Sequence, residues 1–265
     1  MNRIAIIGPL ALAASAFGQG FKPACGDPAF PSPLSLGIDS QCAITGTGKG
    51  ADATQDQQKN NFCATGTVQP ITLSNLQDLQ ASVEKNKKIN FGSGKHPLST
   101  KAGPTADRKP LAALGEGSLR SIEGFIFIAR QEGPESVNCG ATFPKGKDFD
   151  SFHDIHISLV ADEGSTHGDE CASMVVEMSP HHRPEVWTAT NLLKVAGQHA
   201  RVRATGQLFF DSSHSRCVDG ERVGSDPARF TNWEIHPIYK FDVCDADDCT
   251  VATNWMSFED WLKQN

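Results

Sequence analysis

Apolar and polar residues alternate in several windows of the second half of the chain, and the alternation predicts strands. In 154–160, Ile155, Ile157 and Leu159 fall on one side of an extended segment, with Asp154, His156 and Ser158 on the other. In 173–178, Met174, Val176 and Met178 oppose Val175 and Glu177. In 200–211, Val202, Ala204, Leu208 and Phe210 oppose Arg201, Arg203, Thr205 and Gln207. In 233–243, Trp233, Ile235, Tyr239, Phe241 and Val243 oppose Glu234, His236, Lys240 and Asp242. An Ile- and Phe-rich run at 119–129 supplies a further strand ahead of these. Pro237 cannot donate to a sheet ladder, so it predicts an edge or a bulge.

Between the third and fourth strands, 184–196 loses the alternation. Pro184 suits a first helical turn, Val186, Thr190 and Leu193 share a helical face, and Gly197 suits the end. Five strands with one helix between strands 3 and 4 is the element order of an OB-type Greek-key barrel; a sandwich would carry more strands. The expected fold is therefore mainly β. The barrel covers 118–265 and ends in a helix, where Ser257 and Asp260 make a capping box and Trp261 and Leu262 pack on the barrel. Residues 19–117 read as a loop-rich arm with one helix. There Ser74 and Gln77 make a capping box, Leu76, Leu79 and Val83 recur at helical spacing, and Lys85, Lys87 and Lys88 suit the C-terminal dipole. Residues 92–117 read as an irregular crossing segment.

The start of the chain adds a compartment. Arg3 precedes an apolar run at 4–16, which Gly8 and Pro9 interrupt, and small residues Ala14, Ser15 and Ala16 follow. This reads as a signal peptide over 1–18, too short for a spanning helix, and no later stretch is apolar enough to span. The expected localisation is secreted, periplasmic or extracellular. All eight cysteines, Cys25, Cys42, Cys63, Cys139, Cys171, Cys217, Cys244 and Cys249, lie beyond that segment, which predicts four disulfides rather than a zinc site, since no C-x-x-C pair exists. The pairing is open, although the spacing of Cys244 and Cys249 permits a small terminal loop. A net charge of −7 opposes non-specific nucleic-acid binding without excluding a local basic groove.

The segments EGFIFIARQEGPESVNCG (123–140), DIHISLV (154–160), VVEMSPHHRP (175–184), VRATGQLFFDSSH (202–214) and NWEIHPIYKFDVC (232–244) resemble a group of secreted bacterial proteins of uncharacterised activity. In that group a G-x-x-x-F-D-x-x-H strand end precedes an E-I/L-H-P strand. The resemblance covers about 60–245, and the barrel is distantly similar to OB-like modules of extracellular nucleases. It implies a fold and a compartment, and no activity.

The candidate chemistry is a His and carboxylate set. Asp154 and His156 share one strand face, Glu234 and His236 repeat the arrangement, Glu177 lies on the strand between, and Asp211 and His214 end the fourth strand. Parity places this set opposite the apolar residues, on an exposed outer face. Such a face can be plain solvated surface, a binding surface, or a metal or catalytic site, with His156, Glu177 and His236 as the ligand candidates and a divalent metal the cofactor that such groups take. His181, His182 and Arg183, at the start of the barrel helix, and Arg201 and Arg203, on the fourth strand, are candidate anion contacts. The loops at 132–138 and 151–153 lie where OB barrels place ligand contacts. Hydrolase elbows, H-E-x-x-H, P-loop and dinucleotide fingerprints are absent. The expected function is a secreted binding module for an extracellular polymer, oligosaccharide or nucleic acid. The alternatives are a metal-dependent, phosphodiesterase-like hydrolase and a structural envelope protein.

Overall fold

The computed structural model describes residues 20–26, 39, 42–89, 108–140, 152–164, 167–223 and 227–265. The signal-peptide segment and most of the crossing segment lie outside the described residues. Five long strands form the body: β2 (Leu119–Gln131), β3 (Ile155–Val160), β4 (Met174–Met178), β5 (Arg201–Phe210) and β6 (Trp233–Cys244). A short β1 (Gln69–Pro70) runs parallel to β2, and β7 (Trp255–Ser257) adds to β6. The order is β2-β3-β4-β6-β5, and β5 pairs back onto β2, closing a five-strand barrel. Within it only β4–β6 is parallel.

The apolar sides of the alternation fill the barrel. Ile157, Val176, Phe210 and Ile235 are all buried in one core with Met174, Val202, Leu208 and Trp233. A register slip of one residue on any strand would turn such a set outward. Tyr239 departs from the expected pattern. Pro237 lies in a strand paired on both sides, and the β5–β6 register shifts on either side of Gly206. The irregularity puts Ile238 into the barrel core and turns Tyr239 out to pack with Phe21 and Phe62. Its hydroxyl donates to the Asn61 carbonyl at 2.6 Å. Gly206 is required here, because a Cβ would lie 2.2 Å from the Pro237 carbonyl oxygen.

The barrel helix α4 (Ala189–Gly197) begins later than the sequence pattern implies. Thr188 caps it, accepting from the Asn191 amide, so Pro184 precedes the helix instead of opening it. The buried face is Leu192 and Val195, whereas Val186 and Leu193 are exposed. The capped tail helix α5 (Phe258–Gln264) buries Phe258 and Trp261, with Phe258 edge-on to Phe241 at 5.7 Å.

The arm carries more helix than expected: α1 (Ala51–Lys59), α2 (Leu73–Lys85) and the short α3 (Lys109–Ala112). The capping box of α2 is Thr72 with Asn75, two residues before the Ser74–Gln77 pair. Leu76 and Val83 are its buried residues on the core. Thr72→Ala should therefore cost about 1 kcal/mol of stability in urea melts, and Ser74→Ala much less. The four disulfides are Cys25–Cys63, Cys42–Cys139, Cys171–Cys217 and Cys244–Cys249. They suit an oxidising, extracytoplasmic compartment. Among the described residues no helix is long and apolar enough to cross a membrane.

Candidate metal centre

The strand alternation that fills the barrel pushes Asp154, His156, Glu177, Glu234 and His236 to its outside, and there the structure departs from expectation. All five are buried, at 1% exposure or less. The cause is the arm. Helix α1 and the turn Ser136–Asn138 lie over this side of the barrel, and Cys42–Cys139 ties them down. Buried Gln55 and Lys59 of α1 reach barrel residues: Gln55 donates to Asp211 at 3.2 Å, and Lys59 lies 3.8 Å from both Glu177 and Asp211. The exposed face becomes an interior polar layer between arm and barrel.

Register brings the strands' polar residues together. His156 stands directly across from Glu177, and β4 runs parallel to β6 with Val176 across from Ile235. The Glu177 carboxylate thus meets both imidazoles, His156 Nε2 at 2.8 Å and His236 Nδ1 at 2.6 Å. His156 Nδ1 lies 2.9 Å from Glu132. At the end of β5, Asp211 holds His214 Nδ1 at 2.5 Å, and the His214 ring centre is 6.0 Å from that of His156. Glu234 pairs with buried Arg229. All seven residues of the expected His and carboxylate set therefore belong to one connected cluster.

Two features distinguish the cluster from a salt-bridged core. First, the Glu177 and imidazole atoms approach at ion-pair distance, yet none of these contacts is an aligned hydrogen bond. Second, both Asp154 oxygens are buried without a hydrogen-bond partner. Asp154, Glu177 and His236 each offer a ligand atom, all within 4.8 Å of one another. Donors on one zinc ion at about 2.0–2.2 Å lie roughly 3.3–4.4 Å apart, so small side-chain rotations complete such a set. The trio that the geometry groups has Asp154 where the sequence pattern offers His156, and His156 lies between Glu177 and Glu132.

Electrostatics follow from burial among charges. Burial pushes the Asp154 carboxyl up to about 6, against the pull of His236. Burial opposes charge on His236, but Glu177 outweighs it and raises the imidazole to about 10. His156 is likewise held well above the usual histidine range, chiefly by Glu177 against burial. Despite burial, His156, Lys59 and His236 hold Glu177 well below the usual carboxylate range. Burial is also offset at Asp211, where Lys59 and His214 lower the carboxyl well below its usual value.

The candidate anion contacts all have partners within the chain. His181 is buried, stacked on Phe21 at 3.7 Å and bonded to Asp39 at 2.5 Å. His182 packs edge-on to Phe62, and Arg183 donates to the carbonyls of His153 and Met178. None of the three opens a helix, since α4 starts only at Ala189. Arg201 lies over the Phe125 ring and 3.9 Å from Glu123, and Arg203 over Trp255 and 3.1 Å from Asp242. Sequence reasoning missed Lys59, Gln55 and Arg229. The signal for the first two was faint: Gln55 and Lys59 are four apart, so they share a face of a helix that has almost no apolar residues. Glu132 and Glu135 stood in a loop whose sequence alone was uninformative.

Fold and site together define a disulfide-bonded β-barrel whose outer face, roofed by an arm, holds a buried cluster of imidazoles and carboxylates. Compared with known proteins, this chain matches no family model, no curated protein and no solved structure.

Proposed function

We propose that this chain is a secreted OB-type barrel that binds one divalent metal ion through Asp154, Glu177 and His236. The order of the five barrel strands, with β4 and β6 as their one parallel pair, supports the OB-type reading. The disulfides and the apolar start of the chain support secretion. The observation that carries the metal reading is Asp154. A carboxylate buried at 1% exposure without a hydrogen-bond partner is costly unless a cation completes it. Mixed oxygen and imidazole donors suit zinc or manganese better than calcium. Metal analysis of the disulfide-intact protein after dialysis against zinc or manganese should find one ion per chain, and Glu177→Gln should retain none. No ion on the wild-type chain with any common divalent metal sinks the reading. Extension to hydrolysis rests on His214, which Asp211 orients and whose side chain is 19% exposed, so that it reaches from the cluster toward solvent.

A second reading, polymer binding, moves to another surface. A groove of about 790 Å³ is lined by Phe125, Trp255, Arg201 and Arg203 together with Glu123, Asp245, Asp247 and Asp248. Aromatic rings with a surplus of carboxylates favour a neutral oligosaccharide over a polyanion.

A further inference from the structure

We propose that Lys59 occupies the position of a second cation, so that the centre takes one metal ion where its carboxylates alone would take two. The inference rests on the metal reading above. A second group of ligand atoms, from Glu177, Asp211 and Glu234, also lies within 4.8 Å of one another, and it shares Glu177 with the first. A carboxylate common to two such groups is how two-ion centres are built, with the ions about 3.5–4 Å apart. Glu234 keeps one buried oxygen without a hydrogen-bond partner, where Asp154 keeps two. The cations of the second group, unlike the His236 imidazole of the first, are not ligand atoms of the group, whereas an imidazole gives up its proton to an incoming ion. Lys59 Nζ stands 3.8 Å from Glu177 Oε2 and 3.8 Å from Asp211 Oδ2, and Arg229 pairs with Glu234.

The placement of the ammonium is informative. Its close partner is Glu135 at 3.1 Å, and the two cluster carboxylates lie beyond direct hydrogen-bond distance. Lys59 therefore acts on Glu177 and Asp211 as a nearby charge and not as a hydrogen-bond donor; the Asp211 oxygens are bonded by Gln55, Ser213 and His214, and those of Glu177 have no hydrogen-bond partner. Three carboxylates face Lys59 and Arg229 there, whereas in the first group Asp154 and Glu177 stand with His236, and Lys59 is the weakest of the charges acting on Asp154. An incoming dication meets less repulsion at the Asp154 group, because it displaces the His236 proton there, while Lys59 and Arg229 keep theirs. Lys59 sits at the end of α1, so the arm supplies the charge that sets the stoichiometry.

The test is metal content by mass spectrometry after equilibrium dialysis of the full, disulfide-intact chain against manganese or zinc. The wild-type chain should hold one ion, Lys59→Ala two, and Lys59→Arg, which keeps the charge, one. Should Lys59→Ala unfold without metal, its thermal midpoint decides. Stability should then rise with the logarithm of ion concentration at twice the wild-type slope, because two ions bind on folding. A Lys59→Ala chain with one ion or none, or with the wild-type slope, overturns the proposal. So does a wild-type chain with two ions, which leaves the metal reading standing. A wild-type chain with no ion overturns both.

Discussion

Replacing Cys42 and Cys139 together by alanine should lower the unfolding free energy by about 4–5 kcal/mol. The bridge closes a sequence separation of 97 residues, and in the chain-entropy view the loss grows with the logarithm of the loop. The same reasoning gives roughly 2 kcal/mol for Cys244–Cys249, with a separation of 5, so the two bridges make an internal comparison. Position adds to the effect. Cys42 is fully buried, and Cys139 follows the turn that presents Glu135 to Lys59. Untied, the arm exposes the polar layer on β3, β4 and β6 to water, and ion retention should fall along with stability. Urea melts of the unreduced double variant check this. A loss below about 1 kcal/mol would mean that side-chain contacts alone hold the arm.

Asp154→Asn should do two opposite things: abolish ion binding and stabilise the metal-free protein at pH 7 by roughly 3 kcal/mol. The carboxyl is raised from 3.8 to about 6 by burial, and each pKa unit corresponds to about 1.4 kcal/mol. A carboxyl raised in the folded state binds its proton more tightly there than when unfolded. Its cost is therefore absent below about pH 4, grows between pH 4 and 6, and is complete above 6. The gap between variant and wild type should follow that window and close in acid. With saturating zinc or manganese the order reverses, since the ion stabilises only the chain that holds it. Denaturant melts across pH, with chelator and with metal, measure all of this. A metal-free variant less stable than wild type at pH 7 would show that Asp154 is satisfied by the protein itself.

The site was legible as composition and parity. Asp154, His156, Glu177, Glu234 and His236 were readable as one face because alternation in a strand is a local property. Their convergence also followed from the expected strand order. Their exposure was misjudged, because what covers a face depends on contacts between segments distant in sequence. Lys59 and Glu177, separated by over a hundred residues, meet only after the arm folds back. Pro184 places the barrel-helix start beside His181, His182 and Arg183, whereas the helix begins at Ala189 behind its Thr188 cap, because a proline is equally at home in the turn that precedes a helix.

By itself, the sequence determined the five strands, which side of the last four enters the barrel as far as the Tyr239 irregularity, the helix between the third and fourth, and cysteines fit for four bridges. Each follows from short-range periodicity or from counting. Only the tertiary structure decided the cysteine pairing, the turning of Tyr239 at the β5–β6 irregularity, and the burial of the His and carboxylate face. These depend on long-range closure: α1 is too polar to announce a buried face by hydropathy, and what it buries is charge, matched to carboxylates from other strands.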